Sequence, residues 1–419
     1  MKAGALFIAV VVSFIIALLC SSFILYSYYI NIRFEAIRFQ QKVNSNVVSG
    51  MQLMLVDGEI VKDNETLILD LFDTGEDSVS LSVYPWGGFH IYKSVAYVNK
   101  FSSRQIAMTG YNFFENNETA LYLQALNVPL SIAGSTFLKG NFYLPKSGIK
   151  IAYIEGIGYD GDQLLYGTKK ISDTKLPGLN ENLENNIANM GQLVNSLSGD
   201  YINVSDGILP EVFTQSFFDS TVVYYSDNII IIPGSKISGN VKIVSAKGVI
   251  IKKEASLTDV LISAPFVTIE DEFTGALQVF AKDSIKVGKK VTLNYPSVIG
   301  IYQPVPQEVN TFIDLGEQSQ ISGVVLGFTK NPPVDNRLKI MLNKNSIVNG
   351  EIYCNSFIDL KGSVFGSVVC SKFILRTPSS VYENHLLNAT IDYSRLNPDF
   401  IAASLINNHG NKRIVKWLK

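Results

Sequence analysis

The chain has 419 residues, with 35 Lys and Arg against 37 Asp and Glu, so its formal net charge is −2. This balance argues against nucleic acid as the main partner, because binding to phosphates needs an excess of positive charge. Apolar residues make up 47% of the chain and charged residues 17%. This composition is sufficient for packed cores and excludes a disordered protein. Three cysteines and three histidines exclude a disulfide scaffold and leave little for metal or acid–base chemistry, so we expect no cofactor.

The N-terminus is one long apolar run. No charged residue occurs from Ala3 to Ile32, and the apolar core extends from Ala5 to Leu25. As a helix the uncharged run would be about 45 Å long, more than the ~30 Å hydrocarbon core of a bilayer. Tyr29 belongs to a group of tyrosines that follows the run as an interfacial belt would. The run is too long for a cleaved signal peptide or a buried helix of a soluble protein. Residues 1–50 are therefore predicted to be a single-pass transmembrane anchor with an extension, and the lipid bilayer is the first expected partner.

The basic residues around this anchor give a weak signal for its orientation. Lys2 precedes the run, whereas Arg33, Arg38 and Lys42 follow it, which alone would place the rest of the chain in the cytoplasm. Long segments translocate largely regardless of charge, and a large domain follows here. The remainder is rich in Asn, Ser, Thr, Gly and Tyr, a composition that suits an envelope surface. We expect the bulk of the chain outside the cytoplasm.

The first residues also resemble a type IV prepilin leader. Lys2-Ala3-Gly4 is followed directly by Ala5-Leu6-Phe7-Ile8, which would place a cleavage after Gly4. Pilin-like helices usually carry Glu at the position of Ala9, and they continue beyond the membrane as an amphipathic helix, as Phe34, Ile37 and Val43 could do here. The resemblance implies a pilus-like assembly. Because of Ala9, a plain anchor is the preferred interpretation, and cleavage after Gly4 stays open.

Two regions of different character follow the anchor. Residues 51–170 contain short strand-like runs separated by turns, and Val79–Val83 alternates with a period of two, so a small antiparallel β domain near the membrane is predicted. Ala120–Leu123 is one of these strand-like runs. Residues 171–225 are expected to be a polar connector with a short amphipathic helix that ends near Gly199.

A repeat with a period of six begins near residue 226. Every sixth residue from Ile231 to Val291 is apolar, and the series is unbroken. Its members are Ile231, Ile237, Ile243, Val249, Ala255, Leu261, Val267, Phe273, Val279, Ile285 and Val291.

A second pattern, apolar-x-Gly-x-apolar, recurs along the same region. Its glycines are Gly239, Gly275, Gly323, Gly350 and Gly366. The last two copies belong to a longer repeat, in which the segments 350–358 and 366–374 match in Gly, aliphatic, Cys, Phe and Ile positions.

These repeats predict a parallel β-helix (solenoid) over residues 226–378. In such a fold each coil has three short faces, every face contributes an inward aliphatic side chain, and glycine permits tight corners. The alternative is a β-sandwich of unrelated strands. The predicted fold class is therefore mainly β, with an N-terminal transmembrane helix, a small antiparallel β domain and a parallel β-helix of undetermined handedness.

The repeat region from Ser226 to Arg376 resembles the bactofilins and related polymer-forming β-helix proteins of bacteria, whose cores repeat aliphatic-x-Gly-x-aliphatic units. The resemblance implies a solenoid and self-association into a scaffold. A bactofilin is typically shorter and cytoplasmic. This chain adds an anchor, a β domain and interruptions at Pro304-Val305-Pro306 and Pro332-Pro333. Because of these differences, the resemblance supports the solenoid fold more strongly than it supports the formation of filaments.

Enzymatic interpretations of a β-helix lack their essential residues. A left-handed β-helix acyltransferase generally relies on a histidine base in or near the coils, but His90, His385 and His409 lie outside residues 226–376. A polysaccharide-cleaving β-helix needs clustered carboxylates, and the only dense group is Glu270-Asp271-Glu272, where at most two side chains share a strand face. We therefore predict a protein that is not an enzyme, with no catalytic, cofactor-binding or metal site.

Cys354 and Cys370 occupy equivalent places in the longer repeat. On adjacent coils their Cα atoms would lie about 5 Å apart, within the range of a disulfide. A disulfide there would fit an oxidising envelope, while the alternative is two reduced thiols stacked in the core.

Residues 379–419 are expected to form a C-terminal cap on the solenoid, followed by a small basic tail. The combined interpretation is a non-catalytic, membrane-anchored structural or assembly component of a bacterial cell envelope, within a pilus-like or secretion apparatus. Its expected partners are other envelope proteins or further copies of itself. Two alternatives stay open: a cytoplasmic-facing bactofilin-like polymer scaffold, and an envelope protein that binds or modifies polysaccharide.

Overall fold

The structure is a computed structural model. It describes residues 2–58, 60–72, 75, 77–113, 119–192, 201–204, 206–306, 310–333, 337–403, 405–406 and 411–419. These residues divide into two compact units, which are Met1–Val83 with Tyr92–Gln105, and Tyr84–Ile91 with Ile106–Lys419.

The first elements are a long helix and an antiparallel sheet. They are α1 (Lys2–Val56), β1 (Thr66–Leu69), β2 (Asp77–Trp86), β3 (Phe89–Val98) and β4 (Phe101–Asn112). The sheet order is β1-β2-β3-β4, and two strands from the end of the chain, β28 (Ile401–Ala402) and β29 (Lys412–Trp417), pair antiparallel with β4.

In the first unit the C-terminal half of α1 covers the sheet. Val43, Val47, Met51 and Met54 are buried, and their spacing places them on one face of the helix. The Ser94 hydroxyl donates a hydrogen bond to the carbonyl oxygen of Val47 at 2.9 Å. The helix therefore ends inside a packed core of its own unit.

Gly50 lets this helix approach the strands closely. A Cβ atom there would lie 2.8 Å from side-chain atoms of both Leu81 and Val79, so a larger residue would push the helix off the sheet. Lys42 and Asp77 add an ion pair of 3.2 Å in the same unit. Of the residues predicted to extend the amphipathic face, Val43 is buried, whereas Phe34 and Ile37 are exposed.

The second unit contains a parallel solenoid. Its first part comprises β10 (Ile202–Asn203), β11 (Val212–Gln215), β12 (Val222–Ser226), β13 (Ile230–Ile232), β14 (Lys236–Gly239), β15 (Val241–Ser245), β16 (Gly248–Ile251), β17 (Ser256–Ile269), β18 (Thr274–Val287) and β19 (Thr292–Gln303). It continues with β20 (Phe312–Leu315), β21 (Gln320–Thr329), β22 (Lys339–Leu342), β23 (Ile347–Leu360) and β24 (Ser363–Arg376).

Three columns of inward side chains define the three faces of the solenoid. Face A stacks Phe213, Ile237, Leu257, then Leu293, Ile321, Val348 and Val364. Face B stacks Tyr224, Ile243, Ile262, Val279, Ile299, Val325, Ile352 and Val368. Face C stacks Ile230, Val249, Val267, Ile285, Ile313, Ile340, Ile358 and Phe373. The predicted fold class is confirmed.

Coil length explains the six-residue period. Val249 pairs with Val267, and Val267 pairs with Ile285, so each of these coils contains three hexads. Ile285 pairs with Ile313 and Ile313 with Ile340, so the next two coils are longer than three hexads. The extra residues follow β19 and β21, at the two proline-containing interruptions.

Two members of the hexad series differ from the prediction. Ile231 is 46% exposed, because its neighbours Ile230 and Ile232 point inward instead. Leu261 is buried but lies outside the solenoid core, in the cluster that covers face B. The cause is Asp259, whose φ of +63° sits at a register shift between Thr258 and Val260 and turns the following side chains by one position.

The far end of the solenoid is built from two distant parts of the chain. Residues 119–171 contribute β5 (Thr119–Leu123), β6 (Leu130–Ala133), β7 (Phe137–Leu144), β8 (Ile149–Ile151) and β9 (Tyr166–Ile171). The end of the chain contributes β25 (Val381–Glu383), β26 (His385–Leu387) and β27 (Thr390–Asp392) before a short 3₁₀ turn, Tyr393–Arg395.

These strands continue the stack beyond β24. β5 pairs parallel with β24 on face B and β27 pairs parallel with β24 on face A, so one coil combines residues from both segments. β7 then pairs with β5 and β27, and β9 pairs with β7. The structure thus differs from the expected ranges: 119–171 belongs to the solenoid rather than to a separate antiparallel domain, and residues 381–392 lie inside the stack rather than at its end.

The connector joins the two ends of this stack, and it is shorter than the predicted 171–225 because β10, β11 and β12 already belong to the solenoid. It contains α2 (Glu181–Gln192). Asn180 caps this helix, since its side-chain oxygen accepts a hydrogen bond from the amide of Leu183 at 3.1 Å. Leu183 and Ile187 are buried in the cluster on the outside of face B. Residues 193–200, with the predicted helix end near Gly199, lie outside the described part.

Candidate functional site

The N-terminal half of α1 is a long, exposed apolar surface. Leu6, Leu18 and Leu25 are 71%, 56% and 68% exposed, and Ala5 is exposed as well. An 18-residue window of the helix from Gly4 has a mean hydropathy of 2.8, and none of it is buried. By length and composition the helix can cross a membrane.

The tyrosines that follow the apolar run are also exposed. The Tyr29 ring, 57% exposed, has the guanidinium of Arg33 5.6 Å from its centroid. A ring beside a cation at the end of an apolar segment suits the membrane–water interface. The predicted transmembrane residues Ala5, Leu25 and Tyr29 therefore share one continuous helix with the buried residues of the first unit.

Three of the five repeat glycines form a column at one corner of the solenoid. Gly323 pairs with Gly350 and Gly350 with Gly366, and their φ angles are +144°, +144° and +145°. A Cβ atom on Gly350 would lie 1.9 Å from the carbonyl oxygen of Gly323. Gly239 has a φ of +91°, while Gly275 lacks a positive φ and is constrained by space, since a Cβ atom there would lie 2.6 Å from the Phe273 ring. The glycines allow successive coils to turn and to stack closely.

Two further glycines of this kind were missed. Gly140 and Gly167 pair with each other in the terminal coils, with φ angles of +131° and +144°. The segment Leu138-Lys139-Gly140-Asn141-Phe142 fits the apolar-x-Gly-x-apolar pattern, so the same motif could have assigned this region to the solenoid.

Cys354 and Cys370 are Cα partners on the adjacent strands β23 and β24, which is the register that the predicted disulfide requires. Both are buried and their thiols are free in the structure. Burial raises the pKa of the Cys354 thiol to about 12 and raises the pKa of the Cys370 thiol well above its usual value. Both thiols are therefore protonated and poorly reactive in the folded chain, and the disulfide stays a prediction.

The acidic group at residues 270–272 is a corner with lysine partners. Lys252 contacts the Glu270 carboxylate, and Lys253 lies 3.8 Å from Glu272. Asp271 accepts a hydrogen bond from the backbone amide of Lys289 at 2.8 Å. Within the described residues no group of three His, Cys, Asp or Glu side chains has the arrangement of a metal site.

The described histidines lie on separate elements. His90 is buried in β3, while Nδ1 of His385 lies 2.7 Å from the carbonyl oxygen of Glu383 in the terminal coils. His409 is outside the described residues.

The outside of face B carries a row of aromatic side chains that sequence patterns did not reveal. The rings of Tyr302 and Phe328 are stacked at 5.9 Å, and Phe328 lies 6.3 Å from Tyr353. The Tyr353 hydroxyl donates to the carbonyl oxygen of Pro177 at 2.7 Å, and the Tyr302 hydroxyl donates to Glu184 of α2 at 3.1 Å. The row therefore fastens the connector along the solenoid.

Gln278 holds another segment against face B. Its buried side chain accepts a hydrogen bond from the amide of Gly88 at 2.8 Å and donates to the carbonyl oxygen of Trp86 at 3.0 Å. Both partners belong to the same compact unit as the solenoid. This one polar side chain satisfies two backbone groups of the turn between β2 and β3.

Glu351 is a buried carboxyl group on the same side of the solenoid. Its Cα partners are Val324 and Ser367, and its Oε2 atom and the Ser367 hydroxyl each have no hydrogen-bond partner among the described residues. Desolvation raises the pKa of the Glu351 carboxyl to about 8, so it is mainly protonated at neutral pH. The sequence pattern places Glu351 at an outward position of its strand, so it did not indicate that this carboxyl group is buried.

Comparisons with known proteins add one structural likeness. No family model matches the sequence, and no curated protein matches it. Among solved structures, the chain is similar to the crystal structure of the competence-associated pilin ComZ from Thermus thermophilus, with 10% identity and a TM-score of 0.26. The likeness covers 91% of this chain and 98% of that chain. Because the TM-score is low, we base the functional proposal on this chain's own residues.

Proposed function

We propose that the chain is a membrane-anchored structural subunit of a bacterial cell envelope, belonging to a pilus-like assembly, with the bulk of the chain outside the cytoplasm. The observation that carries the proposal is the two-part character of α1. One continuous helix, Lys2–Val56, is apolar and exposed over its first half, and one face of its last turns, from Val43 to Met54, is buried against a sheet.

The exposed half needs an apolar environment. Side chains from Leu6 to Leu25 present a continuous apolar surface, far larger than the scattered hydrophobic residues of a soluble monomer. A lipid bilayer or the equivalent helices of neighbouring subunits would cover it. The exposed Cys20 lies within this segment and is compatible with either cover.

The buried half makes the anchor part of a folded unit. Val47, Met51 and Met54 are each at most 2% exposed, and no break in the helix separates them from the apolar segment. A flexible linker between an anchor and its domain would leave the orientation of the domain free. A helix that passes directly into a packed core suits a subunit whose orientation is set by its helix, as the prepilin-like start of the sequence also implies.

We infer that the chain is non-catalytic. The acidic corner of the solenoid is engaged by lysines, and Cys354 and Cys370 are protonated. A long solenoid surface supplies rigid faces for binding other subunits without chemistry.

Shearing of cells that express the full chain tests the proposal. We expect the wild-type chain in the sheared surface fraction and in the membrane fraction. Val12→Arg places a charge in the apolar segment, at a cost of about 3 kcal/mol for insertion, and should remove the chain from both fractions. Val56→Arg, at an 82% exposed position at the end of the same helix, is the matched control and should behave as wild type.

A wild-type chain that remains in the soluble fraction would contradict anchoring. A chain that is found in the membrane but is absent from the sheared fraction would contradict the pilus-like assembly and leave a plain anchor.

A further inference from the structure

A cavity of about 400 Å³ lies on the outer surface of face C. Its lining includes Arg337, Lys339, Phe357, Asp359, Ile374 and Arg376. The volume falls within the range of small-molecule sites in proteins.

The solenoid register builds the floor of this cavity. Lys339 of β22 pairs with Phe357 of β23, and Met341 pairs with Asp359, so the outward side chains of successive coils form a grid. Ile374 of β24 extends the floor. Phe357, Met341 and Ile374 make it largely apolar.

The two proline-containing interruptions supply one side of the cavity. Asn310 and Arg337, which line it, come shortly before β20 and β22 and close the two long coils. Val381, beside β24, lines it as well. The place where the repeat departs from three hexads is thus the place where the surface becomes concave.

The charges of the cavity are unbalanced. It contains three cationic side chains, those of Arg337, Lys339 and Arg376, and one carboxylate, that of Asp359. Asp359 is engaged through Oδ2 by Lys361 at 3.3 Å, outside the lining. Within the described residues neither arginine has an ion-pair partner within 4 Å, although Arg376 lies near enough to Asp359 to interact with it electrostatically. Both guanidinium groups can therefore form a close pair with an anion.

Asp359 also lines the cavity with an acceptor group. Its side chain is 14% exposed, and its Oδ1 atom is closed to solvent. The oxygen that a ligand can approach is therefore Oδ2, which has lone pairs beyond the one that faces Lys361 and can accept a hydrogen bond from a ligand hydroxyl.

We propose that this cavity binds a hydroxylated organic anion, a sugar carboxylate or a sugar phosphate. Its anionic group pairs with Arg337 and Arg376, a hydroxyl group donates to Oδ2 of Asp359, and its ring lies on Phe357. The guanidinium fork matches a carboxylate or phosphate in two hydrogen bonds, and the apolar face of a sugar ring packs against an aromatic ring. The inference is independent of the pilus-like assembly, since it uses residues of face C alone.

The test is ligand binding to the full chain in detergent micelles at low ionic strength, measured by calorimetry and by ligand-observed NMR. The probes are D-glucuronate and D-glucose 6-phosphate, with D-glucose and acetate as the uncharged and the non-hydroxylated counterparts. We expect both sugar anions to bind at least ten-fold more tightly than glucose or acetate, and the tighter of the two identifies the anionic group.

Variants locate the site. Arg337→Gln and Arg376→Gln should each weaken binding of the sugar anions ten-fold or more, because each removes a charge-assisted pair. Arg413→Gln, an exposed arginine of β29, is the matched control and should leave the affinity unchanged. Far-UV circular dichroism of each variant establishes that the fold is retained, as expected for exposed side chains.

Three results would overturn the proposal. They are the absence of binding by both sugar anions, an affinity for acetate equal to theirs, and an equal loss with Arg413→Gln. If a glutamate-rich peptide bound more tightly than either sugar anion, the proposed ligand class would also be wrong.

Discussion

Replacement of Gly350 by alanine tests the packing of the solenoid at one of its tightest points. Gly350 lies in the middle of the glycine column with a φ of +144°, a conformation that residues with a side chain rarely adopt. An added Cβ atom would lie 1.9 Å from the carbonyl oxygen and 2.9 Å from the carbonyl carbon of Gly323. Both atoms belong to the backbone of the neighbouring coil, which cannot rotate away as a side chain could.

Two costs add in the variant. Forcing a residue with a side chain into this backbone region costs about 1–3 kcal/mol. Moving the adjacent coil to relieve the contact costs about 1–3 kcal/mol as in other overpacked cores. We therefore expect Gly350→Ala to lower the free energy of unfolding of the surrounding coils by about 2–6 kcal/mol.

Hydrogen exchange measured by mass spectrometry on the full chain reports this effect locally. Peptides from β21, β23 and β24 should exchange faster in Gly350→Ala than in the wild type, since the opening free energy of these strands falls. Gly178→Ala is the matched control, because Gly178 has no positive φ and a Cβ atom there meets nothing within 4 Å. Equal protection in the two variants would refute the proposed constraint on the glycine column.

Three further outcomes are expected. Burial holds the pKa of Glu351 at about 8 in the folded chain against a usual 4.5, so only the unfolded state releases this proton as the pH rises between these values, and stability falls over that range. Between pH 5 and 8 the wild type should lose about 4 kcal/mol more than Glu351→Gln in denaturant unfolding, and equal losses would contradict the burial. The predicted disulfide requires Cys354 and Cys370 to react with polyethylene-glycol maleimide after denaturation only when a reductant is added first; labelling without reduction would exclude it. Gln278→Leu should cost about 2–4 kcal/mol, because it leaves two buried backbone groups without partners; an unchanged unfolding midpoint would contradict that role.

The inward faces of the solenoid were predictable because, in a coil of three hexads, every sixth residue is an inward apolar side chain. Ile237, Ile243 and Val249, for example, belong to faces A, B and C in turn. The series misplaces one member, Leu261, because the chain bulges at Asp259. That bulge has a positive φ at a residue that is not glycine, and residue type alone does not reveal it.

The terminal coils show a different limit. Ala120–Leu123 has the pattern of a strand, but that pattern does not distinguish a parallel from an antiparallel partner. Its partner is β24, where Val368 pairs with Leu121 although the rest of the solenoid lies between them in the sequence. Such a pairing depends on how the two segments meet in space, so only the motif around Gly140 carried local information about it.

The cavity on face C was outside the reach of sequence patterns for a third reason. The prolines at 304–306 and 332–333 marked interruptions of the repeat, but they did not show that Arg337 and Arg376 line one surface. That proximity depends on the length of two coils and on the register of three strands.

Cysteine labelling in intact cells tests the placement of the chain most directly. Lys344 is exposed on the solenoid, so Lys344→Cys in a Cys20→Ser background presents one accessible thiol, while Cys354 and Cys370 are fully buried. A membrane-impermeant maleimide should label this variant in intact cells to the same extent as after lysis. Labelling that appears only after lysis would place the solenoid in the cytoplasm and would contradict an envelope subunit displayed outside the cell membrane.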